Sequence, residues 1–242
     1  MSLLAVYDEL LADVAGEAAR QSTDIANRAA LLRHQVEQRI VGELGMDVHS
    51  FALPALVSYL GQAVRLYLLG FYDAAIVEAA ARTGAALRGR LLSLAVWDRL
   101  DAGQSARLRS ALGGLDSADV ATAYRERGTD VFATLPLTTV VDLAAEFGVC
   151  AGPQQERIIA SLRDLAAKRL AIDERDADQG RQIALAAVES GRMSGGPGAA
   201  HTEPILGYYL TWGATLHLLL ADAVVAVCLV LKGGEAAVPP ET

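Results

Sequence analysis

The chain has 242 residues, a net charge of −8 and a sequence pI of about 5.0. Such an acidic balance argues against broad, non-specific DNA binding by the whole surface, although it does not exclude a local basic groove. Hydrophobic residues make up 52% of the chain and aromatic residues only 5%, so the core must consist mostly of Ala, Leu and Val, which suit packed helices better than a β-sandwich.

Cysteine usage and the first residues indicate the compartment. Cys150 and Cys228 provide no disulfide framework, so we expect a reducing, cytoplasmic setting. The opening sequence MSLLAVYDELLADV has early acidic residues and no basic start before an apolar run. We therefore expect no signal peptide.

Residues 2–44 are predicted to form one long amphipathic helix, or two in line. Apolar residues recur at alternating three- and four-residue steps, which is the period of one helix face. They are Leu3, Tyr7, Leu10, Val14, Ile25, Ala29, Leu32, Val36 and Ile40. Gly45 is the predicted C-cap, and a second helix is expected over 56–69.

The third predicted helix, over 72–94, is the one around which the bundle is expected to pack. One face repeats every three or four residues, and alanines make much of the remaining surface small, so neighbouring helices can approach closely. The repeating residues are Tyr72, Ile76, Ala80, Thr83, Leu87 and Leu91. Glu78, Arg82, Arg88 and Arg90 are expected on the outside.

The middle of the chain is predicted to contain shorter helices. Asp101 and Ser105 can cap one, Gly113 and Gly114 interrupt it, and Asp116-Ser117 can start another. Residues 128–136 are a predicted loop. Thr138 or Thr139 is expected to cap a helix ending near Phe147, and Pro153 to open the next.

That next helix is expected to end before an acidic connection over 172–178, with another helix after it. Its inward-facing residues are predicted to be Ile158, Ile159, Leu162, Leu165 and Leu170, and its outward-facing ones Arg157, Arg163, Asp164, Lys168 and Arg169.

The last predicted helix, over 205–231, follows a glycine-rich stretch, 191–204, that we expect to be flexible. It is long and apolar enough to cross a bilayer. Asp222 near its middle disfavours insertion, so a buried or dimer-interface helix is the preferred interpretation and membrane association an alternative. Residues 233–242 are expected to be a disordered tail.

The sequence thus predicts an all-α, multi-helix bundle with a long N-terminal helix and a hydrophobic C-terminal helix. We expect a single domain over 1–232, and a subdivision near 128–137 stays open.

Two stretches resemble the HEPN superfamily of small all-α domains. The first is GFYDAAIVEAA followed by LRGRLL, over 70–92, and the second is TTVVDLAAEFGVCAGPQQERIIASLRDLAAKR, over 138–169. The resemblance rests on 55 of the 242 residues. It implies a homodimer in a prokaryotic toxin–antitoxin or phage-defence system.

Active HEPN domains carry an arginine and a polar residue, then a histidine a few residues later, and two copies meet across a dimer to cut RNA. Arg163 and Asp164 match the start of that motif, but Lys168 lies about where the histidine belongs. Lysine is a poor general base unless it is strongly desolvated. The resemblance therefore implies a domain without the usual ribonuclease site.

A displaced catalytic site is the alternative. Arg192 and His201 border the glycine-rich stretch, and a loop can bring distant residues together. A metal-independent endoribonuclease would then use Arg163, Arg192 and His201, with arginine holding the phosphate and a near-neutral imidazole moving the proton.

A set of basic residues can bind RNA only if folding brings its members together. The residues with this predicted role are Arg82, Arg88, Arg90, Lys168 and Arg169, with Arg107, Arg109, Arg125 and Arg127 as further members of a basic strip. The simpler interpretation is a solvated, ion-paired surface.

No cofactor or metal is predicted. The acidic residues Asp173, Glu174, Asp176 and Asp178 lack the glycine and spacing of a calcium loop. The histidines show no metal-ligand spacing, and the glycine-rich stretch lacks the Gly-Lys-Ser/Thr ending of a phosphate-binding loop. We predict a non-catalytic interaction or structural protein that binds another copy of itself and either a protein or RNA.

Overall fold

The computed structural model describes residues 22–47, 55–97, 99–152, 154–190 and 203–235, with side chains for 25–47, 55–97, 99–152, 154–176, 178 and 215–233. The α-helices are α1 (Ser22–Glu37), α2 (Gly61–Leu68), α3 (Tyr72–Val96), α4 (Ala102–Ala111), α5 (Ser117–Arg127), α6 (Leu137–Glu146), α7 (Gln155–Ser190) and α8 (Glu203–Glu235). These described ranges contain no strand, so the predicted all-α bundle is confirmed.

Helix α1 confirms the described half of the predicted N-terminal stripe. Ile25, Ala29, Leu32, Val36 and Ile40 are all buried. The earlier stripe residues, Leu3 to Val14, lie outside the described residues. The helix widens into a π-helical segment at Gln38–Glu43 and ends at Gly45, whose φ of 57° suits the glycine predicted there.

A second π-helical segment, Ala55–Leu60, leads into α2. Both π segments pack against α8. The helix predicted over 56–69 is therefore present, but its first part has the wider π geometry, which the apolar pattern does not reveal.

Helix α3 lies at the centre of the bundle, as predicted, and contacts α2, α5, α6, α7 and α8. Ile76, Ala80, Thr83, Leu87 and Leu91 are buried, and Tyr72 is half-buried against the same core. Gly84 provides a close approach, since a Cβ atom there would lie 3.0 Å from Leu137 Cδ1.

Helices α4 and α5 begin at the predicted aspartates. Asp101 and Gln104 form a reciprocal capping box at α4, and Asp116 and Asp119 form another at α5. Gly113 and Gly114 break the chain between them at φ values of 64° and 104°. A short 3₁₀ turn, Val131–Thr134, lies within the predicted loop.

Two predictions for the next segment are wrong. Helix α6 begins at Leu137 after Pro136 and no threonine side chain caps it, because the helix starts before Thr138. Helix α7 continues through the acidic stretch expected to be a connection. Pro153, expected to open α7, lies outside the described residues.

Arginine pairing explains the continuity of α7. Arg169 pairs with Asp173 one turn along, and Arg175 reaches Asp73 on α3 at 2.6 Å. Leu170, predicted to face inward, is 56% exposed. Arg157, predicted to face outward, is half-buried.

Helix α8 lies in the core and packs against α1, α3, α7 and both π segments. Every residue from Leu219 to Cys228 is buried, so the helix is covered on all sides over nearly three turns. It extends to Glu235, so the first three residues of the predicted disordered tail are helical. Residues 236–242 lie outside the described part.

Candidate functional site

The described part of the chain buries one group of ionic side chains deeply, and it surrounds Asp222 in the middle of α8. Asp222 is 2% exposed and Arg39 of the first π segment 7% exposed. A buried carboxylate is costly unless it is paired and hydrogen-bonded. Asp222 meets that requirement through side chains that come from two other helical segments.

Asp222 accepts hydrogen bonds on both carboxylate oxygens. Arg39 Nε donates to Oδ1 at 2.7 Å, and the Ser161 hydroxyl on α7 donates to Oδ2 at 2.7 Å. Arg157 Nε, one turn before Ser161, lies 3.3 Å from Oδ1, which is close enough for an ion pair but lacks hydrogen-bond alignment. Three segments of the bundle therefore meet at one carboxylate.

A second layer of contacts surrounds this centre. Arg157 Nη1 donates to Glu43 Oε2 at 2.7 Å, and Arg39 Nη1 donates to the Gln35 side-chain oxygen. We call these six residues the Asp222 cluster: Gln35, Arg39, Glu43, Arg157, Ser161 and Asp222. Its two arginines and two carboxylates balance in charge.

The backbone of this region has an uncommon geometry. Arg39 and Glu43 both lie in the π-helical segment, where the Leu44 N–H donates to the Arg39 carbonyl at 3.2 Å. π-helical turns are rare and often occur at functional sites. Here the π-helical segment Gln38–Glu43 carries two charged residues of the cluster, Arg39 and Glu43.

Some polar atoms at the cluster have no hydrogen-bond partner within the described residues. These are Nε and Nη2 of Arg157 and Nδ1 of His217, all of them buried. Burial, followed by the charge of Arg39, lowers the pKa of His217. The imidazole of His217 is therefore uncharged near pH 7.

The chemistry of the cluster suits a structural role, in which it joins helices, better than a catalytic role. Both arginines face carboxylates, and Ser161 donates a hydrogen bond to Asp222, whose carboxylate is already paired with Arg39. No three of the described His, Cys, Asp and Glu residues lie together in an arrangement that could hold a metal ion. The arrangement ties α1, α7 and α8 together.

The predicted catalytic residues are only partly placed. Arg163 is exposed on α7 and directs Nε and Nη2 at Asp142 Oδ1 on α6, at 2.9 and 2.7 Å. Arg192 and His201 lie outside the described residues, so the displaced ribonuclease site stays a prediction. Lys168, in the expected histidine position, pairs with Asp164 at 2.7 Å.

The predicted nucleic-acid-binding arginines of α3 face different neighbours. Arg82 pairs with Glu78 at 2.7 Å, and Arg88 donates to the Leu135 carbonyl at 3.0 Å. Arg90 lies beside Gly233 near the end of α8, where burial and then the charge of Arg99 lower its pKa. On α7, Arg169 pairs with Asp173.

Three of the four further members of the predicted basic strip, Arg107, Arg109 and Arg125, also have partners. Arg107 pairs with Glu146 at 2.8 Å, and the guanidinium groups of Arg109 and Arg125 donate to backbone carbonyls at Gly114 and Val96. Arg125 thereby binds the last turn of α3, where a cation offsets the helix dipole. RNA binding by these residues stays a prediction.

Both cysteines are buried, and burial raises the pKa of each thiol to about 12. A thiol is a nucleophile only as the thiolate. Cys150 and Cys228 therefore act as small apolar core residues.

Helix α8 contains a stretch that is long and apolar enough to cross a membrane. Thr215–Gly233 has 19 residues and a mean hydropathy of 2.0, and 67% of it is buried within the bundle. Core helices of soluble proteins have the same properties. No protein family, curated protein or solved structure matches the chain.

Proposed function

We propose that the protein is a non-catalytic, HEPN-like interaction protein that forms a homodimer and binds a protein partner without cutting RNA. The resemblance in 70–92 and 138–169 suggests a place in a prokaryotic toxin–antitoxin or phage-defence system, in the cytoplasm. In the second form of the same proposal, the partner is RNA, which the protein binds without cutting it.

The observation that carries the proposal is that Arg163 is paired with Asp142. In the catalytic form of the motif, the arginine must be available to a phosphate. Here two guanidinium nitrogens of Arg163 contact one carboxylate oxygen of Asp142, and no histidine follows at the motif spacing. A phosphate that binds these two nitrogens would have to displace Asp142.

Exposed aromatic side chains support a protein partner. Trp97 is 66% exposed at the end of α3, and Phe71 is 58% exposed just before its start. Aromatic residues are enriched in protein interfaces, where they remove a large apolar area from water.

The test is a mass determination by light scattering, with and without added RNA, followed by a check of RNA integrity on a denaturing gel. We expect a dimer that leaves the RNA intact. The wild-type protein is compared with Arg163→Ala, His201→Ala and, as a matched control, Arg33→Ala, whose arginine is also partly exposed and paired with a carboxylate.

Two results would contradict the proposal. RNA cleavage that is lost in His201→Ala and Arg163→Ala but kept in Arg33→Ala would establish the displaced ribonuclease site. A stable monomer that does not bind RNA would remove the support for both the interaction protein and the ribonuclease.

A further inference from the structure

Helix α8 is chemically suited to two environments. A bilayer span needs about 20 predominantly apolar residues, and Thr215–Gly233 meets that requirement by length and hydropathy. In the structure the same stretch is enclosed by α1, α3 and α7. Something must therefore distinguish the protein core from lipid as the place for this helix.

Asp222 is the only ionised side chain in the interior of that stretch, since Lys232 lies next to its end. An aspartate at the centre of a span disfavours membrane insertion by roughly a hundredfold on insertion scales. In the bundle the same carboxylate has Arg39, Ser161 and Arg157 around it. It is thus excluded from lipid but accommodated in the protein.

The arginines add a second barrier. If α8 left the bundle, Arg39 would lose the carboxylate on which its Nε hydrogen bond depends, and Arg157 would retain only Glu43. Removing one partner from a buried ion pair is strongly unfavourable for as long as the remaining charge stays buried. Both charges of the Arg39–Asp222 pair therefore favour the bundle.

Stability alone does not account for a buried ion pair here. Replacing such a pair with well-packed apolar residues is often neutral or stabilising, because the desolvation of two charges offsets their attraction. What apolar residues would not provide is discrimination between a protein core and a bilayer. An entirely apolar α8 would suit both.

We propose that the Arg39–Asp222 pair, supported by Arg157 and Ser161, is a determinant of location that keeps α8 in the protein core and out of lipid bilayers. This role is independent of the proposed dimerisation and RNA behaviour. Loss of the pair would let α8 enter a bilayer as well as the protein core.

The test removes both charges at once. Arg39→Met/Asp222→Leu is expressed in bacterial cells, and the protein is assigned to soluble, membrane or aggregate fractions by density flotation, which leaves aggregates at the bottom. We expect the floating membrane fraction to rise roughly tenfold or more over wild type, because the charge that opposes insertion is gone. The soluble fraction should keep its helical circular dichroism.

The matched control is Arg163→Met/Asp142→Leu, which makes the same two substitutions in an exposed ion pair away from α8. It should remain soluble like the wild type. Equal flotation of the control would overturn the proposal, since added surface hydrophobicity would then explain the result.

Other outcomes also decide the question. A folded, soluble Arg39→Met/Asp222→Leu protein, or wild-type protein already in the membrane fraction, overturns the proposal. If that variant aggregates, Arg39→Gln/Asp222→Ser removes both charges while keeping hydrogen-bonding groups, and its flotation decides. Aggregation of both variants without flotation means that the charges serve folding, which also overturns the proposal.

Discussion

Asp222 is satisfied by residues that are far away in sequence. Arg39 lies 183 positions before it, and Ser161 lies 61 positions before it. Each of these side chains sits on a helix that also contributes apolar residues to the core. The polar contacts are therefore positioned by hydrophobic packing, and they in turn fix the rotation of α1, α7 and α8 relative to one another.

His217 should make the stability of the protein depend on pH. Its pKa is lowered in the folded state by burial and Arg39, so the unfolded chain binds a proton more readily. The uncharged His217 therefore stabilises the folded state, and this stabilisation has its full value above the ordinary histidine pKa of about 6.5. That contribution is lost as pH falls from there through the lower folded pKa.

The measurement is urea unfolding between about pH 5 and pH 8. His217→Gln should show a weaker loss of stability on acidification than the wild type. His34→Gln, which changes an exposed histidine of α1, is the matched control. Equal weakening in both variants would show that the position of His217 has no special effect.

This site was not predicted from the sequence, although part of its signal is present there. A lone aspartate in a membrane-length apolar helix indicates that a buried cationic partner must exist. The four-residue spacings of Gln35, Arg39 and Glu43, and of Arg157 and Ser161, place each set on one helix side. Nothing in those spacings identifies which helix faces Asp222, because that depends on how the bundle packs.

At the scale of the element, α3 depends on small residues at some positions and merely tolerates them at others. Gly84 faces Leu137 and Arg88 closely, whereas Gly89 is exposed and a Cβ atom there would meet nothing within 4 Å. Both glycines lie inside the same helix. They therefore separate the effect of helix propensity from the effect of packing.

We expect Gly89→Ala to stabilise the protein by about 1 kcal/mol, because alanine has a higher helix propensity than glycine. Gly84→Ala should be less stable than Gly89→Ala by about 1 kcal/mol or more, since its methyl group would lie 3.0 Å from Leu137 Cδ1. Thermal unfolding followed by circular dichroism measures both. Equal stabilisation would mean that Leu137 moves aside without cost.

Element types were easier to predict than element ends. The apolar stripe of α1 and the capping aspartates of α4 and α5 are local signals, and the structure confirms them. The connection expected over 172–178 was wrong because Arg169 and Arg175 offset its negative charges. One of their partners, Asp73, is remote in sequence and so invisible to a local pattern.

At the scale of the whole molecule, the bundle is organised around two helices. Helix α3 contacts the surrounding shorter helices, and α8 fills the space between α1, α3 and α7. Helices α4 and α5 lie at the periphery, and α4 buries only Leu108 completely. Resistance to local opening should therefore differ greatly between these regions.

Hydrogen–deuterium exchange followed by mass spectrometry measures that difference. Amides over 216–228 of α8 should exchange slowest, because they open only when the core opens, and those of α4 should exchange much faster. Comparable rates in the two regions would contradict the central placement of α8.

The order of synthesis gives the burial of α8 another consequence. The ribosome makes α1, α3 and α7 before it makes the helix that they enclose. At about 5–20 residues per second, roughly 2–9 seconds separate the completion of α7 at Ser190 from the completion of α8 at Glu235. During that time the nascent chain displays an open apolar groove with Arg39 unpaired inside it, so we expect general chaperones to bind the unfinished protein and to release it once α8 has emerged.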